Sequence, residues 1–168
     1  MRKRTHRKVW PLVNPIAHAT ASAAVMPAEE REKLMARNNA AIDALQFGTF
    51  TAQHWKDLAD AFNIAEACAR PPVNVANDHA GLFKDAHDVL GSLNEQFCTC
   101  GVWTPRGPQL QVLKDAMFVH GIQLQNVAQG ELERAIAGIV NRVSQARAGN
   151  GNCILVEAPA CATYGEAA

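Results

Sequence analysis

Apolar positions recur at steps of three and four residues along most of this chain, which is the spacing of one face of an α-helix. A short helix is predicted over residues 15–24, because Asn14 can cap it and Pro15 suits the first helical position. A second helix opens at Pro27 with acidic residues in its first turn, where the helix dipole favours them, and stops at Gly48. Its inward face should carry Leu34, Asn38, Ala41, Ile42 and Leu45.

The third helix is predicted to begin after Thr51 as its cap and to end at Pro71-Pro72, because neither proline can donate a backbone hydrogen bond. Its apolar stripe is Trp55, Leu58, Ala59, Phe62 and Ala65. The link over residues 47–50 is short, so the second and third helices should pack antiparallel as a hairpin.

A loop over residues 71–78 offers Asn74 or Asn77 as the cap of the next helix. The stripe of that helix is Leu82, Ala86, Val89, Leu90, Leu93 and Phe97. Residues 98–107 are predicted to break the helix. Thr104-Pro105 or Gly107-Pro108 then starts another one, with Leu110, Leu113, Met117 and Leu124 inward. Gly121 in its interior indicates a kink or a close helix contact.

The last helix follows Gln129-Gly130 and ends at residues 149–151. Its apolar side carries Leu132, Ile136, Ile139, Val140 and Val143. The sequence therefore predicts an all-α protein, a compact bundle of four to five amphipathic helices over residues 14–148. A basic N-terminal arm over residues 1–13 and a flexible C-terminal tail over residues 149–168 complete the chain; residues 153–156 could add one short strand.

Charge divides the chain into two unlike parts. Residues 1–8 hold five of the 16 Lys and Arg residues and none of the 16 Asp and Glu residues, so the remainder has a net charge of −5. A basic arm on an acidic body is typical of a protein that binds another molecule rather than one that turns over a substrate. No stretch approaches the ~20 apolar residues of a membrane span. A mitochondrial transit peptide stays an alternative for the acid-free start, although its cations form one block.

No catalytic or metal-binding pattern is found in the sequence. The five cysteines are odd in number and are interpreted as reduced thiols; Cys98 and Cys100 form a C-x-C without a second pair to complete a zinc site. His79 and His87 would lie ~12 Å apart on one helix, too far to share a metal ion. We therefore expect no cofactor, no metal and no enzymatic activity, and an enzyme using Cys100, His79 or His87 is the least favoured hypothesis.

The basic N-terminal arm is a stronger indication of function than the cysteines and histidines. Its candidate nucleic-acid contacts are Arg2, Lys3, Arg4, Arg7, Lys8 and Trp10. The cations could follow a phosphate backbone, and the indole could stack on an unpaired base. Two alternatives stay open: the arm only solubilises the chain, or it docks on an acidic surface of this or a neighbouring subunit.

Trp103 lies in a loop bordered by glycine and proline, close to Arg106. Such a ring either folds back onto the bundle or serves as an exposed anchor for a partner, since loop aromatics are frequent binding hot spots. Trp103 and Arg106 are therefore candidate partner-binding residues.

Three segments together resemble small uncharacterised accessory proteins encoded by temperate phages and integrated elements of proteobacteria. The segments are residues 1–16 (MRKRTHRKVWPLVNPI), residues 44–48 (ALQFG) with 55–66 (WKDLADAFNIAE), and residues 107–110 (GPQL) with 131–136 (ELERAI). The resemblance spans residues 1–147 and implies an accessory phage product in the cytoplasm of a bacterial host. It carries over no catalytic residue.

Two functional hypotheses follow. In the first, the protein is a non-enzymatic accessory protein that binds a host or phage protein and modulates it, as an inhibitor of a CRISPR defence system would. In the second, it is a nucleic-acid-binding regulatory protein whose affinity comes from residues 2–10. A homo-oligomer is compatible with either hypothesis.

Overall fold

The computed structural model describes residues 15–148, and the all-α prediction is confirmed. The helices are α1 (Pro15–Ala23), α2 (Ala28–Phe47), α3 (Ala52–Ala69), α4 (Ala80–Cys100), α5 (Gly107–Asn126) and α6 (Gln129–Arg147), with one turn of 3₁₀ helix over Asn77–His79. Within this part of the chain the only β-type pairing is an isolated antiparallel bridge between Val25 and Ala128. The predicted arm over residues 1–13 and tail over residues 149–168 lie outside the described residues.

The hairpin of α2 and α3 has the boundaries that its sequence predicts. Gly48 ends α2 at φ 75°, a left-handed conformation that glycine adopts without a steric cost. Thr51 caps α3: its Oγ1 accepts a hydrogen bond of 3.3 Å from the backbone N–H of His54, and its own N–H donates to His54 Nδ1 at 3.2 Å. Both the stop and the cap are therefore confirmed.

The boundaries of α4 differ from those expected. Neither Asn74 nor Asn77 caps it, because a 3₁₀ turn leads directly into the helix and His79 precedes its first residue. The helix also continues through Cys100 to Gly101, where φ is 71° and the N–H bonds to the carbonyl of Phe97 at 2.8 Å. The break predicted from residue 98 was too early because glycine, not cysteine, accepts that left-handed turn.

The main bundle consists of α2, α3, α4 and α5. Both α2 and α4 pack against α3 and α5, while α3 and α5 meet across the middle. The core is filled by large side chains that are at most 2 % exposed, among them Leu45, Leu58, Phe62, Phe83, Leu90, Leu93, Leu113 and Met117. Phe83, absent from the predicted stripe of α4, is fully buried on the face it shares with Ala86 and Leu90, whereas Leu82 and Val89 at the edges are only partly buried.

Two helices form a layer outside this bundle. The main neighbours of α6 are α3 and α1, and the main neighbour of α1 is α6. Only Leu132 and Ala135 of α6 are buried, while Ile136 is 40 % and Val140 is 57 % exposed. The apolar side that the sequence predicts for α6 is therefore only partly covered, because α3 packs against one edge of it.

Candidate partner-binding groove

An open groove with a volume of about 560 Å³ runs between α2 and α5. Its floor is apolar and is formed by Met35 and Ile42 of α2 with Met117 of α5. Phe118 and Ile122 line the same groove, although 71 % and 42 % of their surfaces are exposed to solvent. The groove thus combines an apolar floor with apolar side chains that have little protein cover.

Two contacts fix how the helices that form this groove lie against each other. A Cβ atom placed on Gly121 of α5 would be 3.2 Å from Met35 Cε of α2. Lys114, two turns earlier on α5, donates a 2.8 Å hydrogen bond to Gln46 Oε1 near the end of α2. The helices are therefore antiparallel. Of the two alternatives at Gly121, the structure shows the close contact in a continuous helix.

Charged side chains lie at both ends of the groove. Arg31 and Glu32 lie near the start of α2, and Asp43 lies three turns later, on the same side as Lys114. Each end therefore presents one cation and one anion around an apolar centre. A partner segment could be fixed in position by charge pairs at its ends while its apolar side chains fill the middle.

Sequence reasoning missed this groove, although a signal was present. Phe118 and Ile122 are one turn apart on α5 and lie outside the predicted inward stripe of that helix. Two large apolar residues at i and i+4 on the polar side of a helix indicate a second contact surface.

The predicted site residue Trp103 packs on the end of the bundle. Its ring stacks on Phe97 with centroids 4.3 Å apart and an interplanar angle of 9°, and it meets Phe50 edge-on at 5.2 Å. These contacts show the ring folded back onto the helices and partly buried. Arg106 is exposed at the start of α5, where its backbone N–H donates to Gln109 Oε1 at 2.8 Å. The partner-binding role of both residues stays a prediction.

A buried hydrogen-bond network joins α5 to α3 and to the loop after it. The side-chain amide of Gln123 donates to the carbonyls of Ala65 and Val75, at 3.0 and 2.9 Å. Its Oε1 is therefore free to accept from His120 Nδ1 at 3.3 Å, which fixes the imidazole tautomer with the proton on Nδ1. Burial lowers the pKa of His120 to about 4, so the ring is neutral at pH 7 and acts as a structural element.

A second titratable group lies between α3 and α4. Glu66 of α3 pairs with Arg70, the residue that follows this helix, and its other oxygen is 3.6 Å from His87 Nε2. Burial lowers the pKa of His87, and the Glu66 carboxylate opposes that shift in part. Glu66 therefore links Arg70 and His87 in a polar contact between α3 and α4.

The residues of the least favoured hypothesis do not come together. His79 precedes α4 and Cys100 ends it, which separates them by about 30 Å along the helix, and His87 lies about 20 Å from Cys100. Cys98 and Cys100 are exposed thiols, whereas Cys68 is buried and its pKa is raised to about 11 by burial and by Glu131. Across residues 15–148 no three His, Cys, Asp or Glu side chains are grouped to hold a metal ion.

The candidate nucleic-acid contacts Arg2, Lys3, Arg4, Arg7, Lys8 and Trp10 fall outside the described residues. None of the helices in the described part of the chain is long and apolar enough to cross a membrane.

Comparisons of the chain with family models, with curated proteins and with solved structures found no match.

Proposed function

We propose that this protein acts by binding a helical segment of a partner protein in the α2/α5 groove and that it catalyses no reaction. The observation that carries this proposal is Phe118, an aromatic side chain that is 71 % exposed beside a groove with an apolar floor. A groove between two antiparallel helices with this lining has the form that accepts the apolar face of an amphipathic helix.

The composition of the groove supports a protein partner. Met35, which is partly buried, contributes a flexible thioether side chain that adapts to the shape of an incoming residue, and Gly121 adds no side chain of its own to the lining. Burying Phe118 and Ile122 against a partner would remove a large apolar area from water, and such burial is the main favourable term in protein association.

The resemblance to accessory phage proteins supplies the class of partner. Proteins of that kind often act by occupying a surface of a host protein. We therefore propose a host or phage protein as the partner, with components of a host defence system such as CRISPR as the first candidates, in the bacterial cytoplasm.

A matched pair of phenylalanines tests the groove. The full chain, Phe118→Glu and Phe47→Glu are used as baits in an extract of the bacterial host at physiological salt. Phe47 is the control because it is 74 % exposed and does not line the groove. The full chain and Phe47→Glu should retain the same stoichiometric protein. Phe118→Glu should lose it at least tenfold, because a carboxylate would be desolvated in the groove.

Circular dichroism of the three proteins serves as the folding control, since both substituted positions are exposed and the helix content should not change. Capture that is equal for all three baits, or no stoichiometric partner for any of them, contradicts the proposed function.

Nucleic-acid binding is the second candidate function, and one observation favours it. The bridge between Val25 and Ala128 and the approach of Ser22 to Gly130 place the end of α1 beside the start of α6. Residues 134–147 of α6, the helix against which α1 packs, hold three arginines and no acidic residue. The basic block of residues 2–8 precedes α1 in the sequence, and these arginines would add to its positive charge in binding a phosphate backbone.

This second candidate is tested by removing residues 2–8 and measuring affinity for duplex and single-stranded DNA over a range of salt concentrations. If the arm neutralises five phosphates, the full chain should show a logarithmic salt slope of about −4.5 on duplex DNA, which the shortened chain loses. Equal binding by both chains, or none by either, eliminates the candidate.

A further inference from the structure

The outer face of α6 carries an apolar row that no described helix covers. Ile136 and Val140 are one turn apart, and they are 40 % and 57 % exposed. The other edge of the helix is occupied, because Leu132 and Ala135 pack on the side of α3. Two β-branched side chains in consecutive turns therefore face solvent next to a face that is already packed.

Charged residues flank this row in an order that makes the face complementary to itself. Glu133 lies seven residues before Val140, and Arg147 lies seven residues after it. Seven residues are close to two full turns, so all three side chains lie on one face of the helix. The face is acidic at its start, apolar in its centre and basic at its end, and Arg147 has no ion-pair partner within residues 15–148.

A twofold axis through the centre of such a face brings unlike ends together. In an antiparallel pair of α6 helices centred on Val140, each Glu133 lies opposite Arg147 of the second copy, and the two Val140 side chains meet on the axis. Ile136 then faces Ser144 of the second copy, a small side chain that allows the helices to approach closely. A second copy is complementary to this order of charges at both ends of the face. An unrelated partner is not expected to have the same complementarity.

We propose that a second copy of this chain docks on the α6 face formed by Glu133, Ile136, Val140 and Arg147, giving an antiparallel, twofold-symmetric homodimer. The interface is small, which places it among weak and transient contacts with dissociation constants on the order of micromolar. None of its residues lines the α2/α5 groove, so the dimer would present two grooves and increase the avidity for a partner with repeated binding sites.

Charge reversal in the full chain tests the proposal, with sedimentation velocity at protein concentrations from about 1 to 200 μM as the measurement. Glu133→Arg alone and Arg147→Glu alone should each raise the dimer dissociation constant at least tenfold, because each places like charges opposite one another. The double variant Glu133→Arg/Arg147→Glu should return to within about threefold of the natural chain, since both contacts are rebuilt with opposite sign.

The rescue is diagnostic because the two positions are 14 residues apart on one helix, about 21 Å, and cannot pair within one chain. Val140→Glu should leave the chain monomeric at every concentration. Phe118→Glu should leave dimerisation unchanged, which separates this inference from the proposed function of the groove.

Three results overturn the proposal. They are a natural chain that stays monomeric up to 200 μM, a dimer that survives Val140→Glu, and single reversals that the double variant does not rescue. A monomer whose α6 amides become protected only when a different protein is added would assign the face to that protein instead.

Discussion

The bundle of α2 to α5 and the layer of α1 and α6 are built from similar amphipathic helices, yet they bury their apolar faces to different extents. In the bundle each helix contacts at least two others, and Phe62, Phe83 and Leu58 are fully buried. In the layer, α6 packs mainly on α3 and α1, and α1 mainly on α6. One of the two neighbours of α6 is the nine-residue helix α1, which is too short to cover its full length. The area that neighbouring helices cover, rather than the apolar stripe itself, therefore decides how much of a helix is buried.

The contrast separates the residues that stabilise the fold from the uncovered apolar surfaces that we propose for binding. The interior of the bundle supplies the apolar burial that holds the fold together. The groove beside Phe118 and the outer face of α6 are apolar surfaces that the fold leaves uncovered. The following substitutions test the contrast.

The largest effect is expected in the centre of the bundle. Phe62→Ala removes a side chain that is 0 % exposed and should lower the free energy of unfolding by about 3–5 kcal/mol, because a cavity remains where the ring was. Phe118→Ala, at a 71 % exposed position, should change it by less than about 0.5 kcal/mol. Urea denaturation followed by circular dichroism measures both. Similar losses at the two positions would contradict the division between bundle interior and surface.

The buried imidazole of His120 should make the bundle sensitive to acid. Its pKa in the native protein is about 4, below the 6.5 of an unfolded chain. Between pH 6.5 and about 4 the unfolded chain binds a proton that the native protein does not, so the free energy of unfolding should fall as the pH falls. The loss attributable to this group is on the order of 3 kcal/mol at most and levels off below pH 4.

Unfolding measured at intervals between pH 7 and 4 tests this dependence, with His120→Gln as the control. The control removes the titrating group, so its stability should depend less steeply on pH even if its absolute stability is lower. Parallel pH profiles for the two proteins would show that another group, such as His87, is responsible.

A substitution at Gly130 should destabilise the layer of α1 and α6 more than it destabilises the bundle. A Cβ atom at this position would lie 2.8 Å from Ser22 Cβ and 3.1 Å from the Ser22 carbonyl oxygen. Gly130→Ala should therefore push α1 away from α6, with an overpacking cost of about 1–3 kcal/mol that falls on this contact. Hydrogen exchange should show faster amides in α1 and little change in α2 to α5. Uniform destabilisation of the whole chain would mean that α1 is integral to the bundle.

The interior of the bundle contains the buried side-chain amide of Asn38. The residue is 0 % exposed, and neither atom of its side-chain amide has a hydrogen-bond partner among the described residues. Asn38→Leu replaces it with an apolar side chain of similar size and should raise the free energy of unfolding by about 1–2 kcal/mol. A loss of stability in thermal unfolding would show that this amide is hydrogen-bonded in solution.

The smallest effect is expected at Gly138, on the open side of α6. A Cβ atom here meets no atom within 4 Å, so Gly138→Ala should stabilise the protein by about 0.5–1 kcal/mol through helix propensity alone. The same substitution at Gly130 on the same helix is its matched control. Thermal unfolding should give a higher midpoint for Gly138→Ala than for the natural chain. Gly130→Ala should not raise the midpoint.

Local chemistry made much of the fold predictable from the sequence. Gly48 allows a left-handed turn, the Thr51 hydroxyl satisfies the free N–H of His54, and paired prolines cannot continue α3. Each of these signals acts within four residues of its position. The candidate groove was not predicted, because it forms only where Met35 of α2 approaches Gly121 of α5, a contact between residues 86 positions apart in the sequence.

The sequence by itself determined that this chain forms helices, where most of them begin and end, and which side of each is apolar, because these properties depend on neighbours along the chain. Only the tertiary structure decided which apolar sides are covered. Ile136 and Val140 belong to the same kind of stripe as Leu90 and Leu93, yet the first pair is exposed and the second is buried. Burial requires a second surface, and helical spacing does not encode where the other helices lie.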